Sequence, residues 1–193
     1  MEQGTTPCSW AGRSAEEQVY HDTEWGVPCH DDTVLFEFLV LETLQAGLSW
    51  TLIMKRREGL RELLDGFAID KVAAYGEAKE QVLLTDPRMI RNRLKVKALA
   101  RNAKAFIAIQ EEFGSFDAYI WGFTNGEQVV GHWQHETDIP ATSALSDRIS
   151  KDLKKRNFTF VGSTIIYSFL QAIGIINDHV VTCPRYKELV EQK

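Results

Sequence analysis

Cys8 and His21 stand near the start of this chain, His179 and Cys183 near its end, and 157 residues separate His21 from His179. Each pair offers one thiolate and one imidazole. Together they make a Cys2His2 set, which suits a closed tetrahedral zinc site. No other feature constrains the fold as much. If one ion takes all four ligands, the first twenty-odd residues are fastened to the last fifteen. That is a structural clasp between chain ends, not a finger.

Spacing alone leaves other readings open. The chain has three cysteines and five histidines, and buried cysteines often serve only as packing residues. Cys29 and His30 are further candidate ligands, although adjacent residues rarely reach one ion together. His132 and His135 lie in the polar stretch His132-Trp133-Gln134-His135 and are expected to face solvent. An odd cysteine count argues against a disulfide framework and for reduced thiols inside the cell. The expected location is cytoplasmic.

At 193 residues the chain fits one domain, with two lobes expected at 31–145 and at 1–30 with 146–193. Residues 1–20 are polar and lack the apolar run of a signal peptide. The apolar stretch Val34–Leu44 is short and carries Glu37 and Glu42, so it reads as a buried helix and not as a membrane span. The net charge of −5 argues against nucleic acid as a partner. Its distribution argues the other way. From Arg88 to Lys104 there are seven basic residues and no acidic one. Such a stripe is either an electrostatic footprint or a solvated helix face.

The pattern is almost wholly helical. Asp32 or Thr33 is expected to cap a helix from Val34 to Gln45, and Ser49 the next, Trp50 to Leu64. Asp70 should cap a short helix through Tyr75, followed by another at Lys79–Leu84 that Pro87 stops. A long helix is expected from Leu94 to Phe113, ended by Gly114. Ser115 should cap Phe116–Phe123, and Ser143 a helix to Arg156. The last long helix is Gly162–Ile173, closed by Gly174. Residues 124–140 read as a loop, and no run alternates as a sheet strand does.

Three places can carry chemistry. Glu42 lies in Val40-Leu41-Glu42-Thr43-Leu44, apolar on nearly every side, where a carboxylate is costly unless paired. It is either a functional acid or the partner of an arginine such as Arg56. Tyr20 and Trp25 flank His21, with Trp10 upstream, and aromatic faces stack on bases and attract cations. The segment from Pro87 to Lys97 joins a short helix to a long one through a basic turn, which can offer backbone N–H groups to a phosphate.

Together these segments resemble the DNA 3-methyladenine glycosylase I family of the helix-hairpin-helix superfamily. The resemblance rests on Tyr20-His21-Asp22 with Glu24-Trp25-Gly26-Val27-Pro28, and on Glu42 with Gln45-Ala46-Gly47-Leu48-Ser49-Trp50. It continues through Ile90-Arg91-Asn92-Arg93-Leu94-Lys95, Phe160-Val161-Gly162-Ser163-Thr164, Tyr167-Ser168-Phe169 and Asn177-Asp178-His179. These motifs run in order over nearly the whole chain.

The resemblance implies an all-α helix-hairpin-helix glycosylase that flips 3-methyladenine out of double-stranded DNA and cuts its N-glycosidic bond. It implies Cys8, His21, His179 and Cys183 as ligands of a structural zinc. It implies a base pocket of Glu42, Tyr20, Trp25 and Trp50, with Trp10 as a further member. Glu42 is the expected catalytic residue. Family members lack the aspartate that most of the superfamily uses, so Asp117, Asp138 and Asp147 receive no role as general base. Arg91, Arg93 and Lys95 are the expected contacts to the DNA backbone, and the working unit is expected to be a monomer. The chain departs from the family at Glu17, where many relatives carry an aromatic residue, and at Arg88 and Asn157, where glycine is common.

Two rival classes differ in what they require. A non-catalytic module that binds damaged DNA has no need of a buried acid. A zinc hydrolase would show a ligand set lacking one of the four. A glycosylase that also cleaves the backbone would need a lysine nucleophile beside the hairpin, where Lys95 and Lys97 stand.

Overall fold

The computed structural model describes residues 7–191. Ten α-helices run in order: α1 (Ala15–Thr23), α2 (Asp32–Gln45), α3 (Trp50–Leu63), α4 (Ile69–Ala73), α5 (Glu77–Thr85), α6 (Arg93–Phe113), α7 (Phe116–Gly122), α8 (Ala144–Lys155), α9 (Ser163–Ala172) and α10 (Pro184–Glu191). Three short 3-10 turns join them, at Ser9–Arg13, Asp65–Phe67 and Glu136–Asp138.

Helix α2 is the axis of the core. Every residue from Leu35 to Leu44 is buried, because α3, α6, α7 and α9 pack around it. A helix apolar on all sides is stable only in such a setting. The same packing strips water from Glu37 and Glu42. Helix α6 presents its apolar face to this core through Val96, Leu99, Ala103, Phe106 and Ile109. Phe106 stacks on Phe116 with ring centroids 4.0 Å apart, which docks α7.

Local signals placed most helix ends. The hydroxyls of Ser49, Ser115 and Ser143 accept hydrogen bonds from backbone N–H groups in the first turns of α3, α7 and α8. Gly114 ends α6 with φ at +89°. Other expectations need correction. The cap of α2 is Asp31, which accepts from the Thr33 and Val34 amides. The Asp32 carboxylate instead takes the Phe116 and Asp117 amides at the head of α7. Asp70 lies inside α4, whose N-cap is Ala68. Helices α1 and α10 were not foreseen.

A two-residue parallel pair also stands where no strand was expected, β1 (Val129–Val130) beside β2 (Ile176–Asn177). Two residues are too few to show alternation in sequence. The pair docks the 124–140 segment against the stretch leading into His179.

The chain ends meet. The Gly26 amide donates to the Gln171 carbonyl and the Cys29 amide to that of Ile173. Gly174, at φ +72°, lies so close that a Cβ there would come within 2.2 Å of the Val27 backbone. Only glycine fits both the conformation and the contact.

Candidate active site and metal centre

The pocket forms where α1, the head of α3 and α9 converge on α2. It has a volume of about 160 Å³. Its walls include Trp10, Tyr20, Trp25, Glu42 and Trp50, so the structure brings all five expected pocket residues together. Trp10 and Trp25 meet edge to face at 5.0 Å, and Tyr20 and Trp50 lie 5.4 Å apart.

Glu42 is 3% exposed, and its Oε2 has no hydrogen-bond partner among the described residues. Arg56, the candidate ion-pair partner, instead donates to the Met89 carbonyl. Burial pushes the Glu42 carboxyl up to about 8, so it holds a proton at neutral pH while the pocket is empty. The Trp50 indole N–H is likewise buried without an acceptor. An aromatic cleft thus carries an unpaired acid and an unpaired donor, an arrangement ready for a polar, flat ligand. Burial, above all, keeps the Tyr20 phenol protonated.

Five further residues line the pocket, Arg13, Glu17, Gln45, Ser168 and Gln171; the sequence reading gave none of them a pocket role, naming Gln45 and Ser168 only within motifs and Glu17 only as a departure. None of them belongs to an apolar pattern or an aromatic cluster. Asp178 was noted only as part of a motif. It is buried, and its carboxylate accepts from Trp133 Nε1, the Tyr167 hydroxyl and Gln171 Nε2 at 2.6–2.8 Å. It therefore orients one pocket wall.

Trp25 also borders the metal cluster. Cys8, His21, His179 and Cys183 are all buried, and their donor atoms lie within 4.8 Å of one another. Cys8 Sγ is 3.7 Å from His179 Nδ1, and Cys183 Sγ is 3.5 Å from both His179 Nδ1 and His21 Nε2. Bonds of about 2.3 Å to sulfur and about 2.0 Å to nitrogen at tetrahedral angles put S and N about 3.5 Å apart. The donors therefore already stand at ligand spacing, and the cluster could hold a metal ion.

The outer contacts fit as well. His21 Nδ1 bonds Asp22 at 2.7 Å, leaving Nε2 for an ion, and His179 Nε2 bonds the Trp25 carbonyl at 3.0 Å, leaving Nδ1. The two thiols compete for ionisation. Their mutual hydrogen bond pushes Cys8 up, reinforced by burial, and holds Cys183 low, helped by the imidazoles. A dication between them removes that conflict. Of the rejected ligand candidates, His30 bonds Asp117, and His132 and His135 face solvent as expected.

The hairpin connects α5 to α6. Asn92 caps α6 by accepting from the Leu94 and Lys95 amides. Arg91 and Arg93 are exposed. Lys95 corrects the sequence reading. It is 5% exposed and donates to the carbonyls of Leu44 and Ala46, so its ammonium does not face solvent where a phosphate would lie. Arg88 pairs with Asp86 and Glu62, and its stem covers Gly59. Asn157 takes φ +71°, a conformation asparagine tolerates in place of glycine.

Comparisons with known proteins identify the family. The family model described as methyladenine glycosylase matches residues 10–186. The chain is 42% identical over 179 residues to a DNA-3-methyladenine glycosylase 1 of Escherichia coli K12, covering 93% of this chain and 96% of that protein. A DNA-3-methyladenine glycosylase of Haemophilus influenzae is 38% identical, with 93% and 97% covered. A solved 3-methyladenine DNA glycosylase I from Staphylococcus aureus superposes with a TM-score of 0.90 at 32% identity, covering 94% of this chain and 96% of that one. The chain therefore belongs to the methyladenine glycosylase family.

Proposed function

We propose that this protein is a monofunctional DNA repair glycosylase. It takes 3-methyladenine out of double-stranded DNA into the aromatic pocket and hydrolyses its N-glycosidic bond, leaving an abasic site. The observation that carries this reading is Glu42, a buried carboxylate without a partner, set among Tyr20, Trp25 and Trp50.

Chemistry on a base requires that it leave the stack, at a cost of a few kcal/mol. Methylation at N3 weakens pairing and makes the base cationic. The aromatic walls attract that cation. Its positive charge favours the ionised form of Glu42, whose proton passes to solvent, and the carboxylate then accepts from the exocyclic amine. The C1′–N9 bond breaks with its electron pair passing to the base. The base leaves neutral, and the sugar cation takes hydroxide from water, whose second proton enters solvent. A cationic purine is already a good leaving group, so the site needs to supply little beyond placement and negative charge.

Cys8, His21, His179 and Cys183 would hold zinc, which with four protein ligands has no open position and serves structure alone. Held by these four residues, an ion would tie the lobe of residues 1–30 and 146–193 together. Residues 31–145 form the other and present Arg91 and Arg93 to the backbone of the duplex. One chain supplies every part of the site. No helix among the described residues is long and apolar enough to cross a membrane. Lys95, which a backbone-cleaving mechanism would use as nucleophile, is committed to two carbonyls.

The test is to incubate purified protein with methylated duplex DNA and identify the released bases by chromatography. Release of 3-methyladenine with intact strands supports the proposal. Binding without release would instead make the protein a damage-binding module.

A further inference from the structure

The pocket contains a second buried acid. Glu17, in the first turn of α1, is 1% exposed and lines the cavity, where the exposed Arg13 is also a wall but makes no ion pair with it. Both of its carboxylate oxygens lie 3.1 Å from the hydroxyl of Thr51, at the head of α3. A hydroxyl donates one proton, whereas a carboxylate can accept about four hydrogen bonds. Thr51 therefore leaves most of the acceptor capacity of Glu17 unused.

Other buried acids of this molecule show what a structural role requires. Glu37 takes Arg57 at 2.6 Å and Arg61 at 2.9 Å. Buried Asp178 instead takes three neutral donors, Trp133 Nε1, the Tyr167 hydroxyl and Gln171 Nε2, at 2.6–2.8 Å. Among the described residues neither Glu17 nor Glu42 has an ion pair or such a set of donors. A desolvated carboxylate with neither an ion pair nor a full set of donors is costly, and a cationic ligand offsets that cost.

We propose that Glu17 is a specificity-determining residue which, together with Glu42, makes the pocket select the positive charge of the alkylated base. The inference rests on the reading of the pocket as a base site. Two negative groups favour the cationic base before the bond breaks. Once the electron pair of the C1′–N9 bond has passed to the base, the base is neutral and both groups lose their counter-charge. Glu17 thereby widens the gap in affinity between the substrate base and the released product, which speeds departure of the product.

The test compares two probes by quenching of tryptophan fluorescence. One is 3,9-dimethyladeninium, a cation with a methyl group where the sugar would be. The other is neutral 3-methyladenine. The native protein should prefer the cation by about tenfold or more. Glu17→Gln keeps an acceptor for Thr51 and removes the charge. It should cut that preference by about tenfold, through weaker cation binding, with the neutral base bound as before. Thr51→Val removes the hydrogen bond and keeps the charge, so the preference should persist.

Three outcomes overturn the proposal: a native protein that binds both probes equally, a Glu17→Gln variant with the native ratio, or equal loss of preference in Thr51→Val. The last would show that Glu17 acts only by tying α1 to α3. Release of bases from methylated DNA is scored alongside. A native protein that releases none refutes the glycosylase reading itself. Release with an unchanged ratio in Glu17→Gln refutes the role of Glu17 alone.

Discussion

Lys95 holds down the end of the helix that carries Glu42, with its ammonium 2.7 Å from the Leu44 carbonyl oxygen and 2.6 Å from that of Ala46. These are carbonyls at the C-terminus of α2, where a positive charge is favoured. The first turn of the hairpin's long helix thus fixes the base pocket from behind. Lys95→Met should lower stability by about 2–3 kcal/mol, because charged hydrogen bonds to a buried and a half-buried carbonyl are lost. Urea unfolding checks this. The salt dependence of DNA binding should stay native, since the ammonium faces protein.

Arg91 and Arg93 should behave in the opposite way. Arg91→Ala or Arg93→Ala should leave stability within about 0.5 kcal/mol of native, as exposed substitutions do. Each should weaken binding to duplex DNA regardless of sequence and reduce the slope of log affinity against log salt by about one. Titrations at several salt concentrations measure the slope. A native slope in both variants would remove the hairpin from the DNA interface.

Glu42→Gln keeps the size of the side chain and loses the charge. Excision of 3-methyladenine should fall by about tenfold or more, while affinity for undamaged DNA remains native. The native enzyme should also prefer 3-methyladenine to 7-methylguanine, because a carboxylate accepts from an amine and repels a carbonyl. Equal release of both bases would contradict that selectivity.

Glu42 also gives stability a defined pH dependence. Its carboxyl keeps a proton up to about pH 8 in the folded protein but only to about 4.5 at its ordinary value. Between those values the folded state binds more protons than the unfolded chain, so stability falls as pH rises. The contribution is fully present below pH 4.5 and is lost as pH passes 8. Its size is on the order of a few kcal/mol. Unfolding free energies of native and Glu42→Gln protein should therefore diverge across this window, with the variant flatter. Saturating cationic base should flatten the native curve too.

One zinc per chain is expected in protein purified without added metal. Removal by a chelator, or Cys183→Ala, should lower Tm by about 10 °C or more, since a few kcal/mol moves Tm by roughly 2–4 °C each at this size. Metal analysis and calorimetry give both numbers. Full metal content in Cys183→Ala would remove that residue from the ligand set.

The soft ligands were legible because they are few and the chain spends them in two short stretches. Helix ends at Ser49, Gly114, Ser115 and Ser143 were legible because a cap acts through its own neighbours. Helix α1 was not, since Ala-Glu-Glu-Gln-Val-Tyr-His-Asp-Thr has no apolar period, and its order comes from the cluster and pocket it serves. Asp31 and Asp32 are adjacent acids, and only the position of α7 decides which one caps α2. Lys95 belongs to a basic stripe in sequence, yet its direction depends on where α2 happens to end. Glu17 was visible as a departure from relatives, but only the convergence of α1 and α3 turns it toward the pocket.

The meeting of Cys8 with Cys183 makes the molecule a closed circuit when the ion is bound. Closing a circuit of this length costs conformational entropy that no local contact offsets. The order of synthesis then matters. His179 and Cys183 follow α1 to α9 in the chain, so a nascent chain cannot complete the site until those helices have left the ribosome. Trp25, whose carbonyl holds His179 in place, receives its partner only then. The wall of the pocket that it forms is thus finished only after the core helices are made, and a chain truncated before residue 179 should lack a competent pocket even though α2 and Glu42 are present.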